Sequence, residues 1–179
     1  MMMRYSMLML LALTACGQNN TATTPTKQSN ATLVRPASQQ EATAKIRNNI
    51  EVQASGVTLE QAYLTYDDGT LVSEDNVTNV NKKLVLNLVV DGWQVQDGKV
   101  HLEASEKLAT SEGEVLLDEP ALFSKSGLQA LSPQDARYLR LNIVVTGINE
   151  LSDYYEVTFK VWNTYTQQFI YGTYRFFIG

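Results

Sequence analysis

Apolar and polar positions alternate with a period of two through most of the chain after residue 50. That spacing places every second side chain on one face of a strand. Residues 83–91 read Lys-Leu-Val-Leu-Asn-Leu-Val-Val-Asp. Leu84, Leu86, Leu88 and Val90 share one face, and Val85 and Val89 flank Asn87 on the other, which predicts a central strand covered on one face and partly on the second. Residues 140–147 place Leu141, Ile143 and Val145 together. Residues 155–162 set Tyr155, Val157, Phe159 and Val161 against Glu156, Thr158 and Lys160. Residues 169–178 form a last, aromatic strand, with Gly172 marking a bulge or a close approach.

Turn signals separate these stretches. Asp97-Gly98 lies between 93–96 and 99–103, and an Asp-Gly pair between alternating segments is a strong hairpin signal because both residues take positive φ. Asp68-Gly69 after 62–66 predicts a second corner. Ser132-Pro133-Gln134-Asp135 has a cap, a proline and a following acid, but strand-like residues from Leu139 limit it to a single turn. The expected fold is all-β, an antiparallel β-sandwich of about seven to nine strands, with immunoglobulin-like topology one option within that class. Asp135-Ala136-Arg137-Tyr138 is similar to the immunoglobulin tyrosine corner. Its Asp-to-Tyr spacing is one residue short and no cysteine follows, so no residue role carries over. An outer-membrane barrel needs longer strands than most of these.

Residues 17–49 show neither period. They are rich in Thr, Asn, Gln, Ser and Ala, with Pro25 and Pro36. Such a segment buries too little to offset its ordering entropy and is expected to be a disordered tether. As a coil it spans roughly 30 Å. Residues 39–47 permit a helical turn or two, marginal in isolation. The predicted organisation is therefore a short leader at 1–15, a tether from 16 to 49, and a domain from 50 to 179.

Charge sharpens this division. The tether holds four cations against one acid, whereas the domain holds nine Lys/Arg against eighteen Asp/Glu, a net −9. An acidic body argues against nucleic acid, whose phosphates need clustered Lys and Arg. The basic tether would be weakly attracted to an anionic membrane surface.

The leader explains where such a domain goes. Arg4 precedes the apolar run Met7-Leu8-Met9-Leu10-Leu11-Ala12-Leu13, followed by Thr14-Ala15-Cys16. This is the layout of a secretory signal, and the run is too short to span a bilayer. Leu13-Thr14-Ala15-Cys16 resembles the lipobox of bacterial lipoproteins. The resemblance covers residues 1–17. It implies a diacylglycerol on the Cys16 thiol, cleavage before that residue and a membrane anchor of several acyl chains. Gly17, in place of the aspartate that retains such proteins at the inner membrane, implies outer-membrane delivery where the cell has one. Cys16 is the only cysteine, so no intramolecular disulfide is possible.

Catalytic patterns are sparse. His101, the only histidine, shares a strand face with Lys99 and Glu103 and reads as solvent-facing. No nucleophile elbow, phosphate loop or calcium loop accompanies it. No metal site and no cofactor beyond the covalent lipid are expected. Asp67, Asp68, Glu74, Asp75, Asp91, Asp97, Glu112, Glu114, Asp118 and Glu119 read as solvated acids, although paired carboxylates would suit glycoside hydrolysis. Aromatic residues concentrate after Tyr154, and Tyr171 and Phe177 form a recognition patch for a protein or glycan if they share an outward face. The expectation is a membrane-anchored, non-enzymatic binding or scaffolding module of the envelope. The alternatives are an accessory lipoprotein of a secretion or envelope machine, by analogy with the small sandwich lipoprotein of type VI secretion, and a carboxylate-based hydrolase.

Overall fold

The alternating stretches become the long strands of two stacked sheets in a computed structural model, which describes residues 44–147 and 152–179. The strands are β1 (Lys45–Ile46), β2 (Glu51–Ser55), β3 (Thr58–Tyr66), β4 (Val77–Thr78), β5 (Lys83–Asp91), β6 (Val100–Thr110), β7 (Val115–Glu119), β8 (Ala130–Leu131), β9 (Tyr138–Val144), β10 (Tyr155–Asn163) and β11 (Phe169–Ile178). One sheet has the order β1-β3-β5-β9. The other runs β2-β11-β10-β6-β7, with β4 added to β11 and β8 to β6. Neither closes into a barrel. The fold is an all-β sandwich. Among the described residues it has eleven strands rather than seven to nine, because β1, β4 and β8 are two-residue pairings too short to leave a periodic signal. Most pairs are antiparallel, but β1 on β3 and β4 on β11 are parallel. The long strands divide as β3-β5-β9 in one sheet and β6-β10-β11 in the other, the way an immunoglobulin-like sandwich places its strands A, B and E against C, F and G.

The inner faces carry the expected apolar sets. Leu84, Leu86, Leu88 and Val90 face Val157, Phe159 and Val161 across a core that also takes Leu141, Ile143, Ile170 and Phe176. Val85, on the outer face of β5, is nonetheless fully buried among its neighbours. Gly172 is a close approach and not a bulge: the β10–β11 register is unbroken, and a Cβ there would lie 2.7 Å from Cζ of Phe159. The glycine makes room for that ring and for the backbone carbonyl of Glu51 on β2, which a Cβ would meet first.

Two local expectations change. Asp97 (φ 52°) and Gly98 (φ 75°) form the expected tight turn, closed by Gln96 and Lys99. Residues 93–95, however, form no strand. The Gln94 N–H donates to the Gln168 side chain at 2.7 Å and its carbonyl accepts from Asn163 Nδ2 at 3.1 Å, so side chains meet the groups a ladder would use. The Asp68-Gly69 corner is present, but its return is the single bridge Thr65–Leu71. Tyr138 is 60% exposed on an edge strand, so it makes no tyrosine corner. The Ser132 signal does yield one 3-10 turn, at Asp135–Arg137. Its Ser132 Oγ accepts from the Asp135 N–H at 3.0 Å.

The packed chain starts earlier than residue 50. Lys45–Ile46 is paired to β3 and is not helical, and Asn48 is buried. The leader, Cys16 and the tether to residue 43 lie outside the described residues. Among the described residues no helix is long and apolar enough to cross a membrane.

Candidate functional site: the outer face of β10 and β11

Alternation that buries Tyr155, Val157, Phe159 and Val161 turns the intervening side chains of β10 outward, and β11 does the same from Phe169. The antiparallel register then pairs them across the two strands: Trp162 with Phe169, Lys160 with Tyr171, Thr158 with Thr173, and Glu156 with Arg175. Tyr154, just ahead of β10, meets Phe177 edge-on with ring centroids 6.4 Å apart. Tyr171 and Phe177 do share one outer face, 42% and 40% exposed. Aromatic pairs thus close both ends of a strip whose middle carries short hydroxyl side chains and charge.

Cations sit on the rings. Lys160 Nζ lies 5.3 Å from the Trp162 centroid and 5.7 Å from that of Phe169. The Arg175 guanidinium stacks 4.6 Å above Tyr154 and donates to Glu156 Oε2 at 2.8 Å. That hydrogen bond, with the Tyr154 phenol adding to it, raises the Arg175 pKa. Polar side chains border the strip: Gln53 of β2 opposite Tyr171, and Ser105 and Lys107 of β6 opposite Lys160 and Thr158. At the Phe177 end a cleft of about 290 Å³ opens between Glu51, Asp75, Glu156 and Arg175. The Ser73 hydroxyl and the Val77 N–H hold the Asp75 carboxyl below its usual range.

Other singled-out residues lie elsewhere. His101 is half-buried, edge-on to Tyr165 at 4.8 Å. Glu103, on the same strand face, is not solvated. Its carboxylate accepts from the N–H groups of Phe123 (2.8 Å) and Ser124 (3.3 Å) and from the Ser124 hydroxyl, at the start of helix α1 (Leu122–Ser126). Burial works against its ionisation, but these bonds and the Ala104 N–H outweigh it and lower its pKa. It therefore caps a helix that has no capping side chain of its own. Four of the acids singled out sit in separate ion pairs: Asp67 with Lys83, Glu74 with Arg47, Asp91 with Arg137 and Glu119 with Lys125. Among the described residues no three His, Cys, Asp or Glu converge on a metal-sized site.

Sequence reasoning named Tyr171 and Phe177 but not their partners. Trp162 has the same parity as Thr158 and Lys160, so its outward direction was readable. Its pairing with Phe169 was not, since register is a tertiary fact.

No protein-family model and no curated protein matches the chain. A solved structure does resemble it. This is the crystal structure of the C-terminal domain of Wzt, with a TM-score of 0.45 and 12% identity over 76% of this chain and 81% of that one. At that level the likeness carries no argument about a ligand.

Proposed function

We propose that the chain is an exported lipoprotein, anchored through Cys16, whose sandwich is a non-enzymatic module binding a glycan of the cell envelope on the outer face of β10 and β11. One observation carries the ligand class: Trp162, Phe169, Tyr171 and Phe177 lie on one outward surface, interleaved with hydroxyl, amide and charged side chains. A sugar ring presents C–H groups on its faces and hydroxyls around its rim. Rings embedded in polar side chains match both, whereas a protein-binding core is depleted of charge.

The glycan reading is tested by retention on a panel of purified envelope polysaccharides and peptidoglycan. Trp162→Ala combined with Tyr171→Ala is expected to lower affinity at least tenfold, about 1.4 kcal/mol or more, with unchanged circular dichroism. Undiminished retention of a folded double variant defeats it. Turnover of any glycan in the panel would overturn the non-enzymatic reading, and a stoichiometric protein partner recovered without glycan would favour the accessory-subunit alternative.

The anchor has its own measurement. Mass spectrometry of the mature N-terminus is expected to find Cys16 first and carrying acyl chains, and Cys16→Ala is expected to release the protein from membranes. An unmodified thiol would remove the anchor.

A further inference from the structure

We infer that the strip takes a linear, extended β-1,4-linked glycan chain lying along β10 and β11, gripped by the Trp162–Phe169 pair at one end and the Tyr154–Phe177 pair at the other. The inference rests on the glycan reading and adds length, direction and linkage to it. Its basis is the spacing of the pairs. Tyr154, just ahead of β10, and Trp162 near its end are eight positions apart, a separation of roughly 27 Å at the rise of an extended chain. A single sugar ring covers one such pair and leaves the other bare. Filling both takes a chain of several rings.

The surface between the ends fixes the kind of chain. Thr158 and Thr173 stand opposite each other at mid-strip, between the Lys160–Tyr171 and Glu156–Arg175 pairs, so the outward side chains form a straight row along two neighbouring strands. A straight row suits a ribbon-like polymer. β-1,4 linkage between equatorial positions gives such a ribbon and shows C–H faces to the rings below, whereas a coiled α-linked chain leaves the strip after a few units.

Titration calorimetry of the protein with β-1,4-linked glucose oligomers and β-1,4-linked N-acetylglucosamine oligomers of two, four and six units tests this. Affinity is expected to climb with length, the six-unit chain binding about tenfold or more tighter than the two-unit one. Trp162→Ala and Phe177→Ala should each weaken the six-unit chain about tenfold. The two-unit chain should respond to one of these variants and not to both. Equal affinity for all three lengths, or a six-unit chain insensitive to one end, overturns the extended-chain inference. If none of the oligomers binds while another polysaccharide of the panel does, this inference fails and the glycan reading stands. If nothing in the panel binds, the glycan reading itself fails.

Discussion

Glu106→Leu is expected to stabilise the sandwich at pH 9 by on the order of 5 kcal/mol and to remove most of the stability change between pH 5 and pH 9. Glu106 lies on the inward face of β6, between Ala104 and Leu108 and opposite Phe159. It is 1% exposed, and neither carboxyl oxygen has a hydrogen-bond partner. Burial pushes its pKa from the usual 4.5 to about 8. The nearby Tyr174 phenol is also buried without a partner, and its pKa is raised by burial and then by the Glu106 charge. Because the folded pKa lies above the unfolded one, the folded state holds a proton that the unfolded state releases. Stability is therefore full below about pH 4.5, falls as pH rises, and levels off above about pH 8. Leucine removes the titrating group. Glu106→Gln also flattens the slope but keeps a buried amide in need of partners. Urea unfolding at pH 5 and pH 9 reads both effects. Parallel pH profiles for the parent and Glu106→Leu would show that Glu106 finds a partner after all.

The second large effect falls on Asn48. Its Nδ2 donates to the carbonyls of Val72 (3.2 Å) and Ser73 (3.0 Å) and to Asn76 Oδ1 (3.0 Å), and its Oδ1 accepts from the Leu64 N–H at 2.9 Å. Asn76 Nδ2 returns bonds to the carbonyls of Asn48 (2.7 Å) and Arg175 (2.8 Å). One buried amide thus joins the turn before β2 to β3, to the loop before β4 and, through Asn76, to β11. The backbone of Asn48 is left-handed, φ 57°. Asn48→Ala orphans a buried N–H and carbonyls, and replaces an asparagine, which tolerates the left-handed region, with a residue that tolerates it less well. The summed loss is expected to be about 3–5 kcal/mol, a fall in Tm on the order of 10 °C or more. Asn48→Gly relieves the backbone but not the bonds, and should recover only the smaller part. If glycine restores the full Tm, the backbone conformation and not the hydrogen bonding dominates.

These two residues mark different limits of reading a sequence. Glu106 was legible. Val100, Leu102, Ala104, Glu106 and Leu108 occupy alternate positions, so a strand that buries its neighbours must bury the acid too. Asn48 was not legible. It lies ahead of the first alternating stretch, in a polar run that reads as tether, and its partners are 16 to 28 residues away. Glu103 belongs with Asn48: parity gives its face, but only the docking of α1 turns that face from solvent into a helix cap. Residues 93–95 show the reverse error, where alternation promised a strand and the side chains of Gln168 and Asn163 took its backbone groups.

By itself the sequence determined the strand class, most of the long strands and their buried faces, and the Asp97-Gly98 turn, and it offered Tyr171 and Phe177 as sharing a face. All of these follow from φ/ψ preferences and the two-residue side-chain period, which are local. The tertiary structure alone decided which strands are neighbours, the three two-residue pairings, the buried Asn48–Asn76 link and the aromatic pairs at both ends of β10 and β11. Those depend on register between segments distant in sequence. A shift of one residue would turn the strip's rings into the core without changing any local preference.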